Sequence, residues 1–132
     1  MTSLPQRRSA VTLFFDEADW LILAVSRKDD HEDLGLPGGK VEPHETFTEA
    51  AIRETLEETG VRSIMLHEVF KRQCGEFDAR TFRVTAWEGW PRAMEEAAVL
   101  WVPPERLLEE SCSFRDYNLA LFESLGILNR SS

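Results

Sequence analysis

From Gly39 to Val61 the chain reads GKVEPHETFTEAAIRETLEETGV. Local rules make its second half a helix. Thr46 is a side-chain acceptor placed before a run of helix formers, and Glu49 three residues later completes a capping box. Gly60 supplies a left-handed stop. A helix is therefore expected over Thr46 to Thr59, with Ile52, Leu56 and Thr59 forming a stripe toward the core. Glu54, Glu57 and Glu58 are related by helical steps of three and four, so they share a face. Like charges at this spacing repel by roughly 0.2–0.5 kcal/mol. A cluster of hard oxygen ligands is what Mg²⁺ or Mn²⁺ binds. On the helix alone, a solvated acidic face is the simpler explanation, since glutamate is a good helix former.

The glycines ahead of the helix change that balance. Pro37-Gly38-Gly39 lets backbone approach a ligand closely and can turn a carbonyl toward a metal. The glycines and the helix also fall into one long pattern. Five residues separate Gly39 from Glu45, seven more separate Glu45 from Arg53-Glu54, and Glu57-Glu58, Gly60 and Val61 complete it.

This pattern resembles the Nudix box: Gly, five residues, Glu, seven residues, Arg-Glu-apolar-any-Glu-Glu-any-Gly-apolar. The fixed positions match, and the one departure is Thr55, where an aliphatic residue is usual. The resemblance implies an α/β/α sandwich around a mixed central sheet, an α+β fold. It implies magnesium-dependent hydrolysis of a diphosphate linkage, with Mn²⁺ able to substitute. Glu54, Glu57 and Glu58 would be metal ligands, joined by the carbonyl of Gly38 or Gly39. Arg53 would position the carboxylates, and Glu45 would do similar supporting work.

Beyond the box, Trp87-Glu88-Gly89, Pro91, Glu95 and Trp101 more weakly resemble MutT-like members. That likeness places Glu95, or its neighbour Glu96, on a mobile loop that reaches the metal site. It also puts Asp116 where those members have a base-reading asparagine. For substrate contacts, Arg27 and Lys28 are candidates for phosphate, and Phe77, Phe82 and Trp90 for stacking on a base. Glu76, Asp78 and Ala79 stand where ADP-ribose and dinucleoside polyphosphate members carry a proline or a tyrosine, and a coenzyme A motif is not evident. A nucleoside triphosphate, oxidised dNTPs included, split into NMP and pyrophosphate is the resulting expectation. The alternatives are removal of pyrophosphate from RNA 5′ ends and a non-catalytic nucleotide sensor. Retention of all three box glutamates argues against the sensor.

Around the box, strands are expected at Ser9–Phe15 and Trp20–Ser26, paired as a hairpin across the turn 16–19. A charged loop, 27–33, and an irregular glycine-rich segment, 34–39, follow. Further strands are expected at 63–71, 81–87 and 99–102, with a polar loop at 88–96. Pro104 is expected to open a brief helix, and 114–125 has helical apolar spacing at Leu119, Phe122 and Leu125. No linker or repeat divides the 132 residues, so one domain over 1–132 is expected.

The net charge of −9 argues against general nucleic-acid or anionic-membrane binding, and a small nucleotide is the expected partner. No stretch is long enough to span a bilayer, and a cytoplasmic protein is the default. Cys74 and Cys112 make no disulfide framework or zinc motif. His31, His44 and His67 complete no catalytic triad.

Overall fold

Period-two alternation in the first strand sets the layering. On one face, Ala10 packs against Ala50, Ala51 and Phe82, and the Thr12 hydroxyl lies 2.7 Å from that of Thr55. On the other face, Val11 and Leu13 enter a larger core with Leu121 and Phe122. The computed structural model describes residues 7–128. The elements are β1 (Arg7–Leu13), β2 (Phe15–Asp16), β3 (Leu21–Arg27), β4 (Asp30–Gly35), β5 (Gly38–Lys40), α1 (Phe47–Thr59), β6 (Arg62–Cys74), β7 (Phe77–Glu88), β8 (Val99–Val102), a 3₁₀ helix (Pro104–Leu108) and α2 (Arg115–Leu125).

One sheet has the order β5-β1-β7-β6, with β1 and β7 parallel and the other pairs antiparallel. In the second, β3 pairs with β2, β4 and β8, all antiparallel. Helices cover opposite faces of the mixed sheet, giving the expected α/β/α arrangement.

The capping box forms as read. Thr46 Oγ1 accepts from the Glu49 amide at 3.0 Å, and Glu49 Oε1 accepts from the Thr46 amide at 2.8 Å. Such caps stabilise a helix by ~1 kcal/mol. Gly60 ends α1 at φ 75°.

Several expectations need correction. The buried residues of α1 are Ala50, Ala51, Thr55 and Thr59, whereas Leu56 is 39 % exposed. Small side chains let the helix lie close on β1, and Thr55 finds a hydroxyl partner there instead of apolar contact. The early hairpin shrinks to Phe15–Ile22 and Asp16–Leu21, because β1 joins β5 and β7. The charged loop is partly strand β4. Asp33 is buried there because the Ser113 amide, at 2.8 Å, and the Ser113 hydroxyl both donate to its carboxylate. The glycine-rich segment ends as strand β5. Gly38 has φ 153°, and a Cβ there would fall 2.2 Å from the Ala10 carbonyl oxygen, so only glycine lets β5 lie beside β1.

Candidate active site

Arg53 organises the acidic face of α1. Its Nε and Nη2 donate to the two carboxylate oxygens of Glu45 at 2.6 and 2.9 Å, a bidentate pair. Nη1 reaches Glu54 at 2.9 Å and Glu57 at 3.4 Å. Nη2 also donates to the Lys40 carbonyl at 3.2 Å, tying the helix to β5. The Arg53 guanidinium and the Glu42 amide hold the Glu45 carboxyl down at about 2. Gly39 closes the arrangement: a Cβ there would lie 2.6 Å from Glu54 Cδ.

Glu58 points the other way along the helix. Its carboxylate accepts from the Gly38 amide at 2.9 Å. Burial pushes its pKa up to about 8 against the opposing Gly38 bond, and the charges of Glu54, Glu95 and Glu57 add to the rise. Glu95 arrives from the loop between β7 and β8. Arg92 and Met94 donate backbone N–H groups to the Thr59 and Glu58 carbonyls at 2.9 and 3.3 Å, which satisfies the orphan carbonyls at the end of α1. Beyond it, the Ala98 amide donates to Ser26 Oγ at 2.8 Å. The loop expected to be mobile is thus docked at both ends. Lys28 Nζ contacts Glu95 Oε2 at 2.7 Å, which raises the lysine pKa.

Among the described residues, no three carboxylate, imidazole or thiol groups are gathered closely enough to hold a metal ion as they stand. The ion pairs explain this: Arg53 draws Glu54 and Glu57 toward itself, and Lys28 draws Glu95. The chemistry of the donors nonetheless suits a hard divalent cation. All are oxygens, and the carboxylates of Glu54, Glu57 and Glu95 lie near enough to Glu58 to add to the rise that burial gives its pKa.

Two cavities open beside this cluster. One, of about 360 Å³, is the more polar of the two and includes the charged Arg27, Lys28, Asp33, Glu58 and Glu95 in its wall. The other, of about 330 Å³, is mainly apolar and includes Phe77, Tyr117 and Asn118. They share Leu36, Gly38 and Phe114.

A model of the NUDIX domain matches residues 5–122. The chain belongs to the Nudix hydrolase family. Among curated Nudix relatives, a CTP pyrophosphohydrolase of Escherichia coli is 34% identical over 101 residues, covering 70% of this chain and 74% of that protein. A Bacillus subtilis protein provisionally named an 8-oxo-dGTP diphosphatase is 38% identical over 90 residues, 65% of this chain and 60% of that protein. Among solved structures, a MutT Nudix hydrolase from Burkholderia pseudomallei superposes with TM-score 0.71 at 26% identity, covering 89% of this chain and 98% of that one.

Within this Nudix site, the structure brings together Glu54, Glu57 and Arg53 on one side and Glu58, Glu95 and Lys28 on the other, with Gly39 against Glu54. Arg27 lines the polar cavity, its Nε 3.9 Å from Asp33. Phe82 is 5% exposed in the core under α1 and offers no ring face to a base. Asp116 is exposed on the first turn of α2, where its carbonyl accepts from Arg72 at 3.4 Å, and it lines neither cavity. Trp90 is 84% exposed and also lines neither. Sequence reasoning missed Asn118 and Phe114 as cavity residues. Asn118 had a legible signal: with Leu121, Phe122 and Leu125 it forms a helical stripe at steps of three and four.

Glu95 and Glu96 face different surroundings. Glu95 lines the polar cavity, whereas Glu96 does not, and its carbonyl bonds His31 Nε2 at 3.1 Å. Glu95→Gln is expected to lower turnover more than about tenfold, and Glu96→Gln much less. Turnover of both variants at saturating metal and substrate checks this, and the reverse ranking would transfer the role to Glu96.

The raised Glu58 pKa has a second measurable consequence. An acid that binds its proton more tightly in the folded chain stabilises it fully below the unfolded pKa, near 4.5. That contribution is lost as pH rises toward the folded value of about 8. In chelator, the Tm is expected to fall between pH 5 and 8, and to fall less steeply in Glu58→Gln. Equal slopes would assign the decline to the general acidity of the chain.

Proposed function

We propose that this Nudix hydrolase converts a nucleoside triphosphate, oxidised dNTPs included, to the nucleoside monophosphate and pyrophosphate with Mg²⁺. The observation that carries this reading is the pair of adjoining cavities, one mainly apolar and the other edged by charged side chains, Glu58 and Glu95 among them. A base and sugar fit the first cavity, and a phosphate chain fits the second. The CTP and 8-oxo-dGTP activities in the names of the relatives agree with a nucleotide of this size.

Glu54, Glu57, Glu58 and Glu95 would hold the metal, with a backbone carbonyl at Gly39. When bound, the metal would neutralise phosphate oxygens and make water a better nucleophile. Arg27 and Lys28 contribute positive charge to the same cavity and orient the phosphates. Water attacks phosphorus, the bridging P–O bond breaks, and a carboxylate accepts the proton. Glu95 is our choice for that acceptor. Arg53 keeps Glu54 and Glu57 aligned and does not touch substrate.

The test is a panel of nucleoside triphosphates, their oxidised forms, dinucleoside polyphosphates and nucleotide sugars with Mg²⁺. Pyrophosphate and orthophosphate release are read separately. Pyrophosphate with a nucleoside monophosphate is expected. Release of orthophosphate alone, or turnover confined to non-triphosphates, would overturn the reading.

A further inference from the structure

The hairpin of β3 and β4 grips the segment that carries Glu95. Val25 pairs with Val99 in the β3–β8 ladder, and the next rung falls on Ser26 and Ala98. The Ser26 amide donates to the Ala98 carbonyl at 2.9 Å. In a regular antiparallel rung the Ala98 amide would donate back to the Ser26 carbonyl. Here it donates to Ser26 Oγ at 2.8 Å, while that hydroxyl donates to the Arg27 carbonyl at 3.0 Å. The register of β3 shifts between Ser26 and Arg27, and a side chain takes the place of the backbone. Ser26 is 8% exposed, so alanine there would leave the Ala98 amide without its acceptor. Two residues earlier, the Glu96 carbonyl lies 3.1 Å from Nε2 of His31 on β4. A carbonyl only accepts, so His31 carries its proton on Nε2.

We propose that Ser26 and His31 are positioning residues that set the place of Glu95 at the metal site. The proposal rests on the reading above that Glu95 is a metal ligand. Both side chains hold backbone atoms, of residues 96 and 98, just beyond Glu95. They fix the main chain there and leave the carboxylate free. Glu95 can then exchange the Lys28 ammonium, 2.7 Å away, for a cation while its backbone stays in place. On the other side, Arg92 and Met94 are bonded to the end of α1, the helix that carries Glu54, Glu57 and Glu58. Glu95 thus hangs between two anchors, and cutting the hairpin side lets it drift from the other carboxylates. Groups that orient a metal ligand typically change affinity or activity by about 10–100-fold when removed.

The test measures the Kd of Mn²⁺ by calorimetry on the substrate-free protein. Ser26→Ala and His31→Ala are made in the wild-type chain and in Glu95→Ala. In the wild-type chain, Ser26→Ala is expected to weaken Mn²⁺ binding by about tenfold. His31→Ala, whose bond is exposed, is expected to weaken it by about threefold. In Glu95→Ala each should change the Kd by less than about twofold, because the residue they place is gone. The Tm lost with the Ser26 hydroxyl should be equal in both backgrounds, which separates positioning from a merely structural role. Equal weakening of Mn²⁺ in both backgrounds, or none in the wild-type chain, would overturn the proposal. A Kd unchanged by Glu95→Ala alone would remove Glu95 from the metal shell, and this inference with it. The expected Mn²⁺ pattern in a protein that releases no pyrophosphate from any triphosphate would uphold the inference while overturning the proposed hydrolysis.

Discussion

Glu58→Gln and Glu57→Gln are each expected to lower turnover by at least about a hundredfold while the chain still folds. The size is that seen when preorganised charge at a reacting centre is removed, on the order of 10²–10³ in kcat. The structure explains why folding survives. Glutamine at position 58 keeps an oxygen that can accept the Gly38 amide, which now lies 2.9 Å from the carboxylate. It also removes a half-buried acid whose pKa is raised to about 8, so the metal-free variant should be at least as stable above neutral pH. Glu57 has a 53% exposed side chain whose two oxygens lie 3.4 and 3.5 Å from Arg53 Nη1, a pair worth ~0–1 kcal/mol. Turnover at saturating substrate and metal, with the Tm of each variant, checks both halves. Near-normal turnover in two well-folded variants would remove the acidic face from the chemistry. Loss of turnover with loss of fold would make these glutamates structural. The exposed Glu49 serves as a control for the capping end of the same helix. Glu49→Gln should leave turnover intact, because an amide can still accept from the Thr46 backbone.

The box was legible because its devices are local. A capping box, a left-handed glycine and three carboxylates within five residues are fixed by helix geometry alone. Arg53 and Glu45 both belong to the pattern, but their bidentate pairing is visible only once β5 and α1 are folded together. What the sequence did not disclose depends on distant partners. Thr55 looks like a lapse from an aliphatic rule until Thr12, on β1, supplies its hydroxyl at 2.7 Å. Asp33 reads as one more charge in an acidic run, yet it is buried by Ser113, eighty residues on. Phe82 and Phe77 are equivalent as bare aromatics, but the pleat of β7 sends Phe82 under α1, while Phe77 lines the apolar cavity. The likeness to MutT-like members points to Asp116, whereas the helical stripe of α2 places Asn118 at the cavity.

Removing divalent metal is expected to abolish hydrolysis, and adding Mg²⁺ or Mn²⁺ to restore it. The argument begins with electrostatics. Arg53 and Lys28 lie among Glu45, Glu54, Glu57, Glu58 and Glu95, so the local formal charge is negative before any phosphate arrives. A triphosphate adds several more negative charges to a cavity whose wall already holds Glu58 and Glu95. Unit charges about 4 Å apart repel by roughly 4 kcal/mol at an effective dielectric constant near 20. Arg27 and Lys28 cannot offset that alone, and each already faces a carboxylate, at 3.7 and 2.7 Å. A hard dication accepting oxygens from both protein and substrate reverses the sign of the interaction. The same balance predicts an effect without substrate. A cation that binds only the folded chain at a hundred times its Kd stabilises it by ~2.7 kcal/mol. Mg²⁺ should therefore raise the Tm of the wild-type protein, and raise it less in Glu58→Gln. Full-rate hydrolysis after exhaustive chelation would overturn the requirement. A Tm shift by Mg²⁺ that is equal in both proteins would move the binding site away from Glu58.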